Sequence, residues 1–155
     1  MRSLGLKSVL IVCVFACLGL LCSCSADKVR NSVGRYETEE FYTCGGFQDY
    51  TDYAKYTYSE MDLDGNRYFS PVTDTAMEQI TAYLDNFDDA VHAHDSENEI
   101  VVHYDFDRTI IDDKDAYCIV DRADEADALY QPLESYDVYI VDAQTNTLYY
   151  FHNNI

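Results

Sequence analysis

Histidine, aspartate and tyrosine recur at alternate positions of several strand-like runs, and that spacing has the greatest capacity for chemistry in the chain. Within residues 100–106, His103 and Asp105 share one face with Val101, while Ile100, Val102, Tyr104 and Phe106 share the other. Asp137 and Tyr139 share a face of the run 136–142, and His152 closes the run 147–152. If these strands are neighbours, His103, Asp105, Asp137, Tyr139 and His152 form an acidic, tyrosine-lined surface. Tyrosine there can stack on a sugar or grip a peptide through ring and hydroxyl together. The plainer reading is that tyrosine simply tolerates half-exposed strand positions.

Other clusters are weaker. His92 and His94 precede Asp95, but two residues on a continuing helix point to different faces. Histidine at a helix C-terminus complements the dipole without any metal. Asp62, Asp64 and Gly65 resemble an EF-hand calcium loop, yet neither register places both the glycine and the closing Glu correctly, so a tight turn is expected. Asp105-Phe106-Asp107-Arg108-Thr109 resembles the first motif of haloacid-dehalogenase-type phosphatases. That resemblance implies a nucleophilic Asp105, an acid–base Asp107 and a bridging magnesium. The family also implies a parallel sheet, whose crossovers need about a dozen residues or more. Here only residues 108–115 separate the motif from the next strand-like run, and too little chain follows for the family's remaining motifs. A metal-dependent hydrolase is therefore the alternative reading, behind a non-enzymatic one with no cofactor and no bound metal.

The N-terminus carries an address. Arg2 and Lys7 precede the apolar run 9–21, which is shorter than the roughly 20 residues a spanning helix needs and matches a secretory signal core. Leu21-Cys22-Ser23-Cys24 then resembles the bacterial lipobox, with an aliphatic residue at −3, a small one at −1 and a cysteine. Cys22 fits that pattern less well. The resemblance implies cleavage before Cys24, diacylglyceryl and palmitate modification of Cys24, and retention on the extracytoplasmic face of a membrane. Ordinary cleavage, leaving a free Cys24 thiol, is the other route. The whole chain is also similar to small uncharacterised bacterial lipoproteins, a likeness that implies no activity.

Residues 24–155 hold all 29 acidic residues but only eight of the ten basic ones, a formal charge of −21. Such a surface repels nucleic acid, whose binding rests on neutralising phosphates, and it repels anionic headgroups, so a covalent lipid has to supply the membrane attachment. The charge serves solubility or a basic partner. Cys44 and Cys118 can pair outside the cytoplasm, or Cys118 can remain a small buried hydrophobe.

Composition divides the chain into a signal peptide (1–23), a polar tether (24–46) and one domain (47–155). From Phe47 the tyrosines Tyr50, Tyr53 and Tyr56 recur at helical spacing, although Tyr56 and Tyr58 can equally begin a strand. Thr73 or Asp74 caps a helix whose stripe runs Ala76, Met77, Ile80, Tyr83, Leu84, Phe87, Val91. Four strands follow at 100–106, 116–122, 136–142 and 147–152, and Asn146 is placed to take a positive φ in the last hairpin. A short helix fits within 123–134, before Pro132. The expected fold is α+β: N-terminal helical segments packed on a largely antiparallel sheet of about four strands, one face covered and one wet. The closing hairpin is similar to those of secreted PepSY-type and cystatin-like domains, which inhibit, escort or bind. A lipid-anchored module that binds a protein, glycan or peptide at the cell envelope is the function to expect.

Overall fold

A computed structural model of the chain describes residues 27–46, 49–125 and 128–155. The signal segment, Cys24 and Phe47 lie outside the described residues. Strands β1 (Tyr36–Gly45), β2 (Tyr50–Tyr58), β3 (Ser70–Pro71), β4 (Ala116–Asp121), β5 (Ser135–Asp142) and β6 (Thr147–Asn154) make one sheet in the order β1-β2-β6-β5-β4-β3. Every pairing is antiparallel. Helices α1 (Asp27–Asn31), α2 (Asp74–His92) and α3 (Glu99–His103) pack around it. The α+β class is as expected, with six strands in place of four. No described helix is long and apolar enough to cross a membrane.

Helix α2 forms where its apolar stripe predicts. Thr73 is extended, and its hydroxyl accepts from Ala76 N–H at 3.2 Å, satisfying one of the orphan donors of the first turn. Ala76, Ile80, Leu84, Phe87 and Val91 are buried against Tyr53, Tyr136, Val138, Ile140 and Phe151 of the sheet. Thr73→Ala should lower unfolding free energy by about 1 kcal/mol, read as a shifted denaturant midpoint at unchanged slope.

Three expected elements differ. The supposed tether contributes α1 and the ten-residue edge strand β1, so the folded unit begins well before residue 47. Seven of the ten β1 residues are exposed, so no hydrophobic alternation marks it. The tyrosine run read as helical is β2, which hydrogen-bonds to β1 and β6 on its two sides. Buried on both faces, it shows no simple period. Residues 100–106 do not form a strand. Asn98 caps α3 by accepting from Ile100 N–H at 3.2 Å, Ile100 is fully buried, and Val102 is 61% exposed. Beyond α3 the chain leaves the helix so that Tyr104 and Phe106 reach the core from a loop.

The face opposite α2 is not simply wet. Val29 and Val33, with Met61, Leu63, Tyr68 and Phe69, pack on Ala54, Tyr56, Tyr58, Leu148 and Val141. The N-terminal segment and the loop after β2 thus cover one end of that face. Cys44 belongs to the α2 side and Cys118 to the other, so the sheet itself separates the two free thiols.

Candidate functional site

Antiparallel register lines up one polar row across the face opposite α2. Thr43 on β1 is opposite Asp52 on β2, Asp52 is opposite His152 on β6, and His152 is opposite Asp137 on β5. Because side chains alternate along a strand, all four project to the same side. Asp52, His152 and Asp137 are buried at 8%, 6% and 8% exposure. Removing three ionisable groups from water is unfavourable unless they are paired, so their partners determine what the site can do.

Asp137 is heavily partnered. One oxygen lies 2.8 Å from His152 Nδ1 and accepts the Tyr150 hydroxyl at 2.8 Å. The other accepts from Arg122 at 3.0 Å. Burial alone raises its pKa, but the bonds from His152 and Tyr150 and the charge of Arg122 outweigh that and hold it below the usual carboxylate range. An ionised Asp137 holds a proton on His152 Nδ1, and whenever the imidazole carries only that proton its Nε2 is an acceptor. Among the described residues that buried Nε2 has no hydrogen-bond partner. Asp52 behaves oppositely. Burial pushes its carboxyl up, and neither the Thr43 bond nor the nearby imidazole reverses the shift.

One row further along β2 lies Ala54, between Phe41 of β1 and Tyr150 of β6, with Asp52 and Tyr56 two residues either side on its own strand. These four neighbours line a cavity of about 330 Å³ together with Arg30, Glu39 and Tyr139. Ala54 puts a small side chain at the centre of these larger neighbours. An adjoining cavity of about 390 Å³ is lined by Tyr50, Arg122, Asp137 and His152 among others, and shares Tyr139 and Tyr150 with the first. Each is as large as the smaller ligand pockets of proteins. Together they form a trough with buried tyrosines as its floor. Phe41 (45% exposed) and Tyr50 (36%) stand at its two rims. Arg30 of α1 lies 4.8 Å above the Tyr56 ring and 3.6 Å from Glu39. Desolvation pushes the Tyr56 hydroxyl up to about 12, so it is a neutral donor at physiological pH.

A carboxylate-oriented imidazole is also how a general base is built. Here Tyr50 stacks on the His152 ring with centroids 4.7 Å apart, so the imidazole sits beneath an aromatic cover.

The expected surface is therefore divided by the sheet. Asp137, Tyr139 and His152 come together in the trough. His103 stacks on Tyr42 and Asp105 bonds to Tyr53, all on the α2 side, because residues 100–106 are not a strand of this sheet. Both Asp105 oxygens are occupied, one accepting the Tyr53 hydroxyl and the other Lys55 Nζ, each at 2.9 Å. Asp107 caps the turn Arg108–Ile110, accepting from Thr109 N–H and hydroxyl. The Asp105-x-Asp107-x-Thr109 motif thus lies in a loop beside an antiparallel sheet, not at the end of a parallel strand. His92 sits in the last turn of α2 with Nδ1 2.6 Å from the Asp88 carbonyl oxygen. Gly65 takes a positive φ of 66° in the turn after Asp62, whose carboxylate accepts from Asp64 N–H.

Asp52, Arg30 and Phe41 had no local motif to mark them. A lone aspartate inside a tyrosine- and threonine-rich strand was the available signal for Asp52. Arg30 and Phe41 become site residues through tertiary contact alone. No family model matches the chain, and no curated protein or solved structure is significantly similar to it.

Proposed function

We propose that the protein is a lipid-anchored, non-enzymatic binding module of the cell envelope that holds a small ligand in the tyrosine-lined trough. The observation carrying this reading is the pair of adjoining cavities that share Tyr139 and Tyr150 and place three buried ionisable side chains among aromatic rings. Burying such groups on one face of a small sheet adds little stability compared with apolar residues of similar size. Perturbed acidic groups in a concavity are more often found at functional sites.

The lipobox at Leu21–Cys24 supports the address. With the anchor at Cys24, three peptide steps separate the lipid from Asp27, the first residue of α1. That is at most about 11 Å of chain. Val29 and Arg30 of α1 border the trough, so a short leash keeps the cavity near the bilayer surface. The charge of −21 on residues 24–155 leaves the lipid as the attachment.

Expression of the full chain in a bacterium supplied with a clickable palmitate analogue tests the anchor. Wild type should be labelled and sediment with membranes, Cys22→Ser should behave likewise, and Cys24→Ser should lose the label. Labelling that survives Cys24→Ser sinks the anchor assignment.

A further inference from the structure

Charged groups in the trough are mostly neutralised. Arg30 lies 3.6 Å from Glu39, and Asp137 is held by His152 and Arg122. Asp52 is the exception. It is 8% exposed, is bonded by Thr43, and makes no ion pair among the described residues. Its side chain borders the 330 Å³ cavity whose other walls are the rings of Phe41, Tyr56, Tyr139 and Tyr150 and the paired Arg30 and Glu39. A buried carboxyl with no ion pair among the described residues, facing aromatic rings, is complementary to an ammonium whose substituents lie on the rings while its charge meets the carboxylate.

The geometry points to an organic cation as the ligand, with a substituted ammonium head seated over Ala54 between the aromatic walls and Asp52. This rests on the trough being a binding site and names the chemistry it selects. Ring faces attract cations most strongly where water is excluded, and the field of a chain carrying −21 raises the local concentration of cations. Arg30 already shows the preference, lying 5.0 Å and 4.8 Å above the Tyr36 and Tyr56 rings. Arg30 is paired with Glu39, and Asp52 is in no ion pair among the described residues. Of the charged groups facing Asp52, Arg30 opposes a bound cation, Glu39 and Asp137 favour it, and His152 opposes it when protonated. In the empty site burial favours the protonated Asp52, and a bound ammonium favours the carboxylate. Affinity should therefore fall as pH falls through the raised pKa of Asp52.

The test is calorimetry on the full chain in a non-ionic detergent, titrated with choline and with its uncharged isostere, in which carbon replaces nitrogen. Choline should bind saturably and the isostere about tenfold more weakly or worse. Asp52→Asn should weaken choline about tenfold. Phe41→Ala, at a rim position 45% exposed, should weaken it several-fold, and Ala54→Leu should abolish it. The assignment is overturned if choline gives no heat at millimolar concentration, if the isostere binds equally well, or if Asp52→Asn keeps full affinity. Should an uncharged or anionic compound instead stabilise wild type but not Ala54→Leu, the trough is still a binding site and the ammonium assignment alone falls.

Discussion

Phe87→Ala is expected to destabilise the protein by about 3–5 kcal/mol. Phe87 is fully buried, and its ring meets Phe151 edge-on at 5.2 Å and Tyr104 at 5.5 Å. It therefore joins α2, β6 and the loop after α3 at one point. Truncation leaves a void that Ile80, Leu84 and Val91 cannot close without moving a whole helix turn. The prediction is read from urea unfolding: a much lower midpoint at unchanged slope, with trough ligands still bound below the transition because the site lies across the sheet. A loss under about 1 kcal/mol would mean that α2 is not packed as described.

Asp137→Ala should be nearly as damaging, for a different reason. It leaves the His152 Nδ1 proton, the Arg122 guanidinium and the Tyr150 hydroxyl without their shared acceptor. Breaking a buried pair from one side costs about 3–5 kcal/mol. Replacing both members of the buried pair, as Asp137→Val with His152→Leu, should cost less than the sum of the single changes, since the imidazole is no longer stranded and only Arg122 and Tyr150 lose their acceptor. The pH dependence has a definite sign. Partners lower the folded-state pKa of Asp137 below its unfolded value, so its contribution is present above the usual carboxylate range and is lost as pH falls through the lowered value. Asp52 runs the other way: its folded pKa is raised, so its contribution is present below the unfolded pKa and is lost as pH rises through the raised value. The gap between wild type and Asp137→Ala should accordingly shrink in acid, measured by thermal melts across the acidic range. A gap that widens in acid would contradict the described pairing.

How far the fold was legible depended on how much each element showed its own environment. Helix α2 carried its cap at Thr73 and its stripe from Ala76 to Val91, so both ends and the buried face could be read. Strands β5 and β6 were read from their β-branched and aromatic content, and Asn146 between them takes a φ of 53°. Correct parity there brought Asp137, Tyr139 and His152 to one face. Strand β2 was obscured because Tyr50, Tyr53 and Tyr56 fit a helical step as well as a strand buried on both sides. Residues 100–106 alternated convincingly, but the Asn98 side chain offers Ile100 N–H a local partner and starts a helix instead. Exposed β1 carried almost no pattern. The site needed more than parity: the row Thr43–Asp52–His152–Asp137 exists only through register between segments about a hundred residues apart, which periodicity does not encode.

The most direct test of the central claim, that the trough binds a small ligand, is a thermal-shift screen of diverse small polar compounds against the full chain and its Ala54→Leu variant. The substitution enlarges the one small side chain among the cavity's strand neighbours Phe41, Asp52, Tyr56 and Tyr150, and a cooperative melt of the variant is the control that it folds. Binding to the native state raises Tm by an amount that grows with the logarithm of ligand concentration above Kd. The account predicts compounds that raise the wild-type Tm and leave Ala54→Leu unmoved. Compounds that shift both proteins equally, or a wild type that none of them stabilises, would contradict it.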